Sequence, residues 1–105
     1  MKLRLLPEAR DDLASARDWY AERNAHLPRV LRADVKARLA QIQQNPQLYA
    51  RVLDEVRQAP LRRFPYSILY CEWSGHDTVI VVAIFHQARN PSLWKERLSD
   101  WQGRA

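Results

Sequence analysis

The segment Thr78-Val79-Ile80-Val81-Val82-Ala83-Ile84-Phe85 constrains this chain more than any other. It is apolar at both odd and even positions and rich in β-branched residues, so neither face suits water. It therefore predicts the central strand of a sheet covered on both sides. At this length it cannot span a bilayer. Just upstream, Phe64 to Trp73 puts Tyr66, Ile68 and Tyr70 on one face of an extended chain and Leu69, Cys71 and Trp73 on the other. Ser74-Gly75-His76-Asp77 is a turn signal between the two segments, which makes them a hairpin at the core of the sheet. Residues 51–57 predict one weaker, partly exposed strand. Residues 2–6 predict a short strand closed by Pro7, whose ring fixes φ and removes a ladder donor.

Elsewhere the apolar period lengthens from 2 to 3.6. Leu13, Ala16 and Tyr20 form one helical stripe bordered by Trp19, with Asp11, Asp12, Arg17, Asp18 and Glu22 mainly off it. Asn24 to Pro28 is a break, after which Leu31, Val35, Leu39 and Ile42 make a second stripe that stops before Asn45-Pro46. The short connection predicts an antiparallel helical hairpin. Asn90-Pro91 reads as the cap and first-turn proline of a short last helix lined by Leu93, Trp94, Leu98 and Trp101. The expected fold class is α+β, in the order β-α-α-β-β-β-α. It comprises an N-terminal strand, an antiparallel helical hairpin packed on a mainly antiparallel sheet, and a short C-terminal helix. With only Gly75 and Gly103 as glycines and no linker tract, residues 1–105 are expected to form a single domain.

Seventeen Lys and Arg against twelve Asp and Glu give a net charge of +5, and fourteen of those cations are arginine. Arginine makes planar, bidentate contacts with phosphates and carboxylates, so an acidic partner is the leading question. The second predicted helix carries Arg29, Arg32, Lys36 and Arg38 against Asp34 alone. The single Cys71 excludes an internal disulfide, and no Cys/His cluster has metal-ligand spacing, so neither metal nor cofactor is expected. Cysteine usage and the lack of a signal-peptide core imply a cytoplasmic protein with no membrane partner.

No phosphate-cradling glycine loop and no nucleophile elbow is present. What remains is a constellation of Arg62 and Arg63 before Phe64-Pro65-Tyr66, and of His86 and Arg89 just past the core strand, followed by Trp94 and Arg97. His86 at a strand end suits acid–base work or capping of that strand end. Arg62 and Arg63 suit either a ligand or a solvated edge that deters aggregation. Arg89 beside the predicted helix start suits an anion, or a carboxylate that fixes the loop. The four tryptophans read as core or partner-contact anchors, since no RNA-stacking signature repeats.

Arg62-Arg63-Phe64-Pro65-Tyr66-Ser67-Ile68-Leu69-Tyr70, the following strand, and His86-Gln87-Ala88-Arg89-Asn90-Pro91-Ser92-Leu93-Trp94-Lys95-Glu96-Arg97 resemble the RelE/ParE toxin superfamily. Pro7-Glu8-Ala9, Asp12-Leu13, Trp19-Tyr20 and Asn45-Pro46 extend the resemblance over residues 1–101. It implies the toxin half of a type II toxin–antitoxin pair, bound by a cognate antitoxin whose extended, often acidic segment wraps the helices and sheet. It also implies one of two activities. RelE-like members cut messenger RNA on the ribosome with Arg, Lys, Tyr or His around the sheet, whereas ParE-like members block DNA gyrase. The RelE-like branch carries an arginine directly after the residue matching Tyr66, and a tyrosine near the C-terminus. Here Ser67 and Trp94 stand at those places. Ala25-His26-Leu27 and Val30-Leu31 also replace the glycine and aromatic common between the helices. The pattern is thus nearer ParE. It implies gyrase as the target and plasmid stabilisation as a role, with Arg62, Arg63, Arg89, Trp94 and Arg97 as target contacts. The alternative is a ribosome-associated endoribonuclease using His86 and Arg89 as catalytic residues, or an inactive member of the family.

Overall fold

Three prolines set the helix boundaries in the computed structural model, which describes residues 1–89 and 95–104. Pro7 opens α1 (Pro7–Ala21), where its missing N–H would have no intrahelical partner anyway. Pro28 sits in the first turn of α2 (Leu27–Gln44), and Asn45-Pro46 ends that helix. The apolar stripes of both helices face one layer of core, with Ala9, Ala16, Leu31, Val35 and Ile42 buried. Trp19 stays half exposed at 49%, with the Arg23 guanidinium stacked 3.2 Å from its ring centroid.

The sheet has five strands in the order β1-β5-β4-β3-β2. β1 (Lys2–Leu5) runs parallel to β5 (Thr78–His86), and every other pairing is antiparallel. β4 (Tyr66–Trp73) and β5 form the expected central hairpin, with Gly75 at φ +83° supplying the left-handed turn position. A register shift between Leu69 and Tyr70 lets Val82 and Ala83 both face away from the helices. Ile68, Tyr70, Val79, Val81 and Ile84 pack under the helical hairpin, while Leu69, Cys71, Ile80, Val82 and Phe85 line the opposite face. That division is the two-sided burial anticipated for the strand 78–85.

Two details differ from the sequence reading. The single strand expected over residues 51–57 is a tight hairpin of β2 (Arg51–Leu53) and β3 (Val56–Pro60). Asp54 turns the chain at φ +48°, a left-handed position that Asp tolerates better than most residues and that carries no glycine signal. Asp12 lies off the apolar stripe, yet it is not a solvated charge, because its side chain is only 9% exposed. β1 ends at Leu5 while β5 continues to His86, which leaves the outer edge of β5 open. The Asp12 carboxylate accepts the Ile84 N–H there at 3.0 Å. The same carboxylate takes both guanidinium nitrogens of Arg97, at 2.5 and 3.0 Å, from α3 (Lys95–Arg104). An interior acid and a cross-chain arginine thus close a strand edge that would otherwise present unpaired backbone groups. The predicted Asn90-Pro91 cap, Leu93 and Trp94 lie outside the described residues.

Candidate functional site

On the face of the sheet away from the helices, a cavity of about 200 Å³ opens between β2, β3, β4, the end of β5 and the start of α3. Leu53, Leu69 and Phe85 form its apolar floor. Strand alternation puts Gln58 and Ser67 on the same face, where the Gln58 amide donates to the Ser67 hydroxyl at 3.0 Å. Ser67 is 2% exposed and is satisfied by that bond. Two cations stand at the wall. Arg89 lies with its guanidinium 4.3 Å from the centroid of the Phe85 ring, and Lys95 enters from α3. The cavity therefore offers an apolar floor, one neutral polar pair and two positive charges, an arrangement suited to an anion attached to an apolar body.

His86 reaches the rim of this cavity. Its Nδ1 accepts the Ala88 N–H at 3.1 Å, so the ring caps the turn that follows β5. The ring meets Tyr66 edge to face at 5.2 Å, and Tyr66 in turn lies 6.2 Å from Tyr20. Burial pushes both tyrosine hydroxyls above their ordinary pKa. Arg89 acts in the opposite direction on Tyr66, but burial dominates. Near neutral pH these phenols remain protonated donors.

Arg62 and Arg63 belong to a different surface. Their backbone N–H groups donate to the two oxygens of Asp34 on α2, at 3.2 and 2.8 Å. The arginine side chains project to solvent over a groove lined by Val30, Ala33, Ala37 and Asp34. The five expected contact residues are accordingly not one cluster. Arg89 lines the sheet cavity with His86, Arg62 and Arg63 line the helix groove, Arg97 is bound to Asp12, and Trp94 lies outside the described residues. Sequence reasoning missed Gln58, Lys95, Asp12 and Asp34. Strand alternation could have paired Gln58 with Ser67, but no local pattern marks a carboxylate that serves a distant backbone.

Among the described residues, no group of three His, Cys, Asp or Glu side chains is placed to hold a metal ion, and no helix is long and apolar enough to cross a membrane.

Residues 3–91 match the family described as ParE toxin of type II toxin-antitoxin system, parDE. Among solved structures, the chain is similar to one from a chromosomal ParDE toxin–antitoxin system of P. aeruginosa. The TM-score is 0.62 at 21% identity, covering 82% of this chain and 95% of that one. It is also similar to a chain of the toxin–antitoxin complex RelBE2 of Mycobacterium tuberculosis, with a TM-score of 0.55 at 23% identity over 81% and 95% of the two chains. At these identities the likeness is one of fold. No curated protein matches the sequence significantly.

Proposed function

Because the chain belongs to the ParE toxin family of type II toxin–antitoxin systems, we propose that it inhibits growth by binding DNA gyrase in the cytoplasm, and that a cognate antitoxin neutralises it by direct association. The ParDE and RelBE2 neighbours are named as toxin–antitoxin assemblies, which supports the antitoxin partner. A net charge of +5 favours steering toward an acidic protein surface.

The observation that carries the binding reading is the chemistry of the sheet cavity. Cleaving RNA through its 2′-hydroxyl needs a base for that hydroxyl and an acid for the leaving oxygen, both titrating near neutrality. Gln58, Ser67 and Gln87 in the lining do not ionise there, and Arg89 and Lys95 supply positive charge only. His86 is the residue type suited to such work, and with its Nδ1 taken by the Ala88 N–H it has Nε2 as the one ring nitrogen left to serve. Burial raises the Tyr66 hydroxyl further above its ordinary range, away from neutrality. Among the described residues, the lining thus offers charge stabilisation and a single imidazole, with no carboxylate or second imidazole to pair with it.

Purified protein is expected to inhibit supercoiling by gyrase, or to trap its cleavage complex, and to leave translated message intact. New 5′ ends on that message, removed by His86→Ala, would establish the nuclease instead.

A further inference from the structure

The sheet face away from the helices has a second hollow at its other end, about 330 Å³ between the edge strand β1 and the β4–β5 turn. Lys2, Thr78 and Trp73 lie in register across β1, β5 and β4, so their side chains share that face. Arg4 follows Lys2 on the same face, one strand period or about 6.6 Å further on. Trp73 carries the His76 ring flat against it, with 3.7 Å between centroids and 15° between planes. His76 is exposed, yet it is held in place by its neighbours. Its N–H donates to the Trp73 carbonyl at 3.1 Å, and its own carbonyl accepts the Thr78 hydroxyl at 2.8 Å. The ring Nδ1 lies 3.1 Å from the Ser74 carbonyl oxygen. A carbonyl only accepts, so Nδ1 carries the proton and Nε2 is left for a ligand. Lys2 and Arg4 are exposed and, among the described residues, neither side chain has a hydrogen bond or ion pair. Glu72 shares a face with Val79 and so points to the helix side. Asp77, in the turn, offsets one of the two positive charges at most.

We infer that this hollow binds a nucleoside phosphate, with the base stacked on the His76–Trp73 pair and the phosphate oxygens held by Lys2 and Arg4. The site is independent of the gyrase and antitoxin contacts proposed above. Inorganic phosphate or an acidic peptide would use the cations and leave the flat ring idle. A nucleoside phosphate uses both, because a base offers a π face and its phosphate an anion within one small molecule. Stacking of this kind accepts any base, so the site selects the chemical class and not a sequence. The ligand can come as a free nucleotide or as part of an unpaired strand. A strand would engage both cations, since successive phosphates of an extended strand lie about as far apart as Lys2 and Arg4. Holding the His76 ring in place before the ligand arrives lowers the ordering cost of binding.

The test is a fluorescence-anisotropy titration of the full chain with a labelled short single-stranded oligothymidylate, beside its abasic counterpart and with thymidine monophosphate as competitor. The abasic strand is expected to bind roughly five- to hundredfold more weakly, the loss of one stacked base. Lys2→Ala/Arg4→Ala is expected to lower the slope of log affinity against log salt by about 1.4, the share of two phosphate contacts on a single strand. His76→Glu should weaken binding roughly tenfold or more, while His76→Phe, which keeps a flat ring, should retain it. All three variants are compared after their melting curves prove native. Monophosphate that competes within about tenfold of the strand's affinity assigns a free nucleotide as the ligand, and weaker competition assigns the unpaired strand. Equal binding of the normal and abasic strands overturns the stacking, and with it the nucleoside class. A wild-type salt slope in the Lys2/Arg4 variant, or no binding of either ligand by the wild-type chain, overturns the site itself.

Discussion

Arg97→Met removes the cation that the Asp12 carboxylate holds at 2.5 and 3.0 Å and leaves an acid only 9% exposed with the Ile84 N–H as its remaining partner. Breaking a buried pair from one side costs about 3–5 kcal/mol, because an uncompensated charge stays behind. Arg97 is 19% exposed, so water retains partial access and the cost falls below that range, to about 2–3 kcal/mol. In a domain of this size each kcal/mol moves the midpoint by about 4–8 °C, which places the expected loss in Tm at roughly 8–24 °C. Asp12→Asn keeps an acceptor for the Ile84 N–H and loses only the charge, so it should cost less than Asp12→Ala. The assay is thermal unfolding followed by circular dichroism on wild type, Arg97→Met, Asp12→Asn and the double variant. The expected coupling between the two sites exceeds about 1 kcal/mol. Additive losses, within about 0.3 kcal/mol, would refute the idea that this pair closes the β5 edge and docks α3.

Two further outcomes are expected. Burial pushes the Cys71 thiol from 9.0 up to about 11, so the folded state favours its protonated form. That contribution is fully present below pH 9 and disappears as pH rises through the window from about 9 to 11. It amounts to about 2.5 kcal/mol lost from wild type and absent from Cys71→Ala, and parallel stability–pH curves for the two would contradict it. The Tyr70 hydroxyl donates to the Pro46 carbonyl at 2.6 Å and ties β4 to the end of α2. Tyr70→Phe should therefore lower the free energy of unfolding by about 1–2 kcal/mol, measured by urea titration with an unchanged m-value.

Much of this fold was legible in the sequence because its strongest signals are local. An apolar strand facing two layers, a turn at Gly75 and prolines at 7, 28 and 46 each act within a few residues. The β2–β3 hairpin was not legible, since Asp54 takes its left-handed conformation without a glycine to announce it. His86 and Arg89 stand out in the sequence because they follow a recognisable strand, and the structure places both at one cavity. Asp12 and Asp34 resemble any other charge lying off an apolar stripe. Their roles depend on where β5 outruns β1 and where the 62–63 backbone crosses α2, contacts separated by 72 and 29 residues along the chain. Periodicity does not report contacts at that separation.

Binding gyrase, not cutting RNA, is the action proposed for this toxin-family chain. The most direct measurement adds purified protein to gyrase with relaxed and supercoiled DNA, beside primer extension on a translated message. Inhibited supercoiling or trapped cleavage complexes, with the message uncut and the effect reversed by antitoxin, is the predicted result. Unaffected gyrase together with new 5′ ends on the message would contradict it.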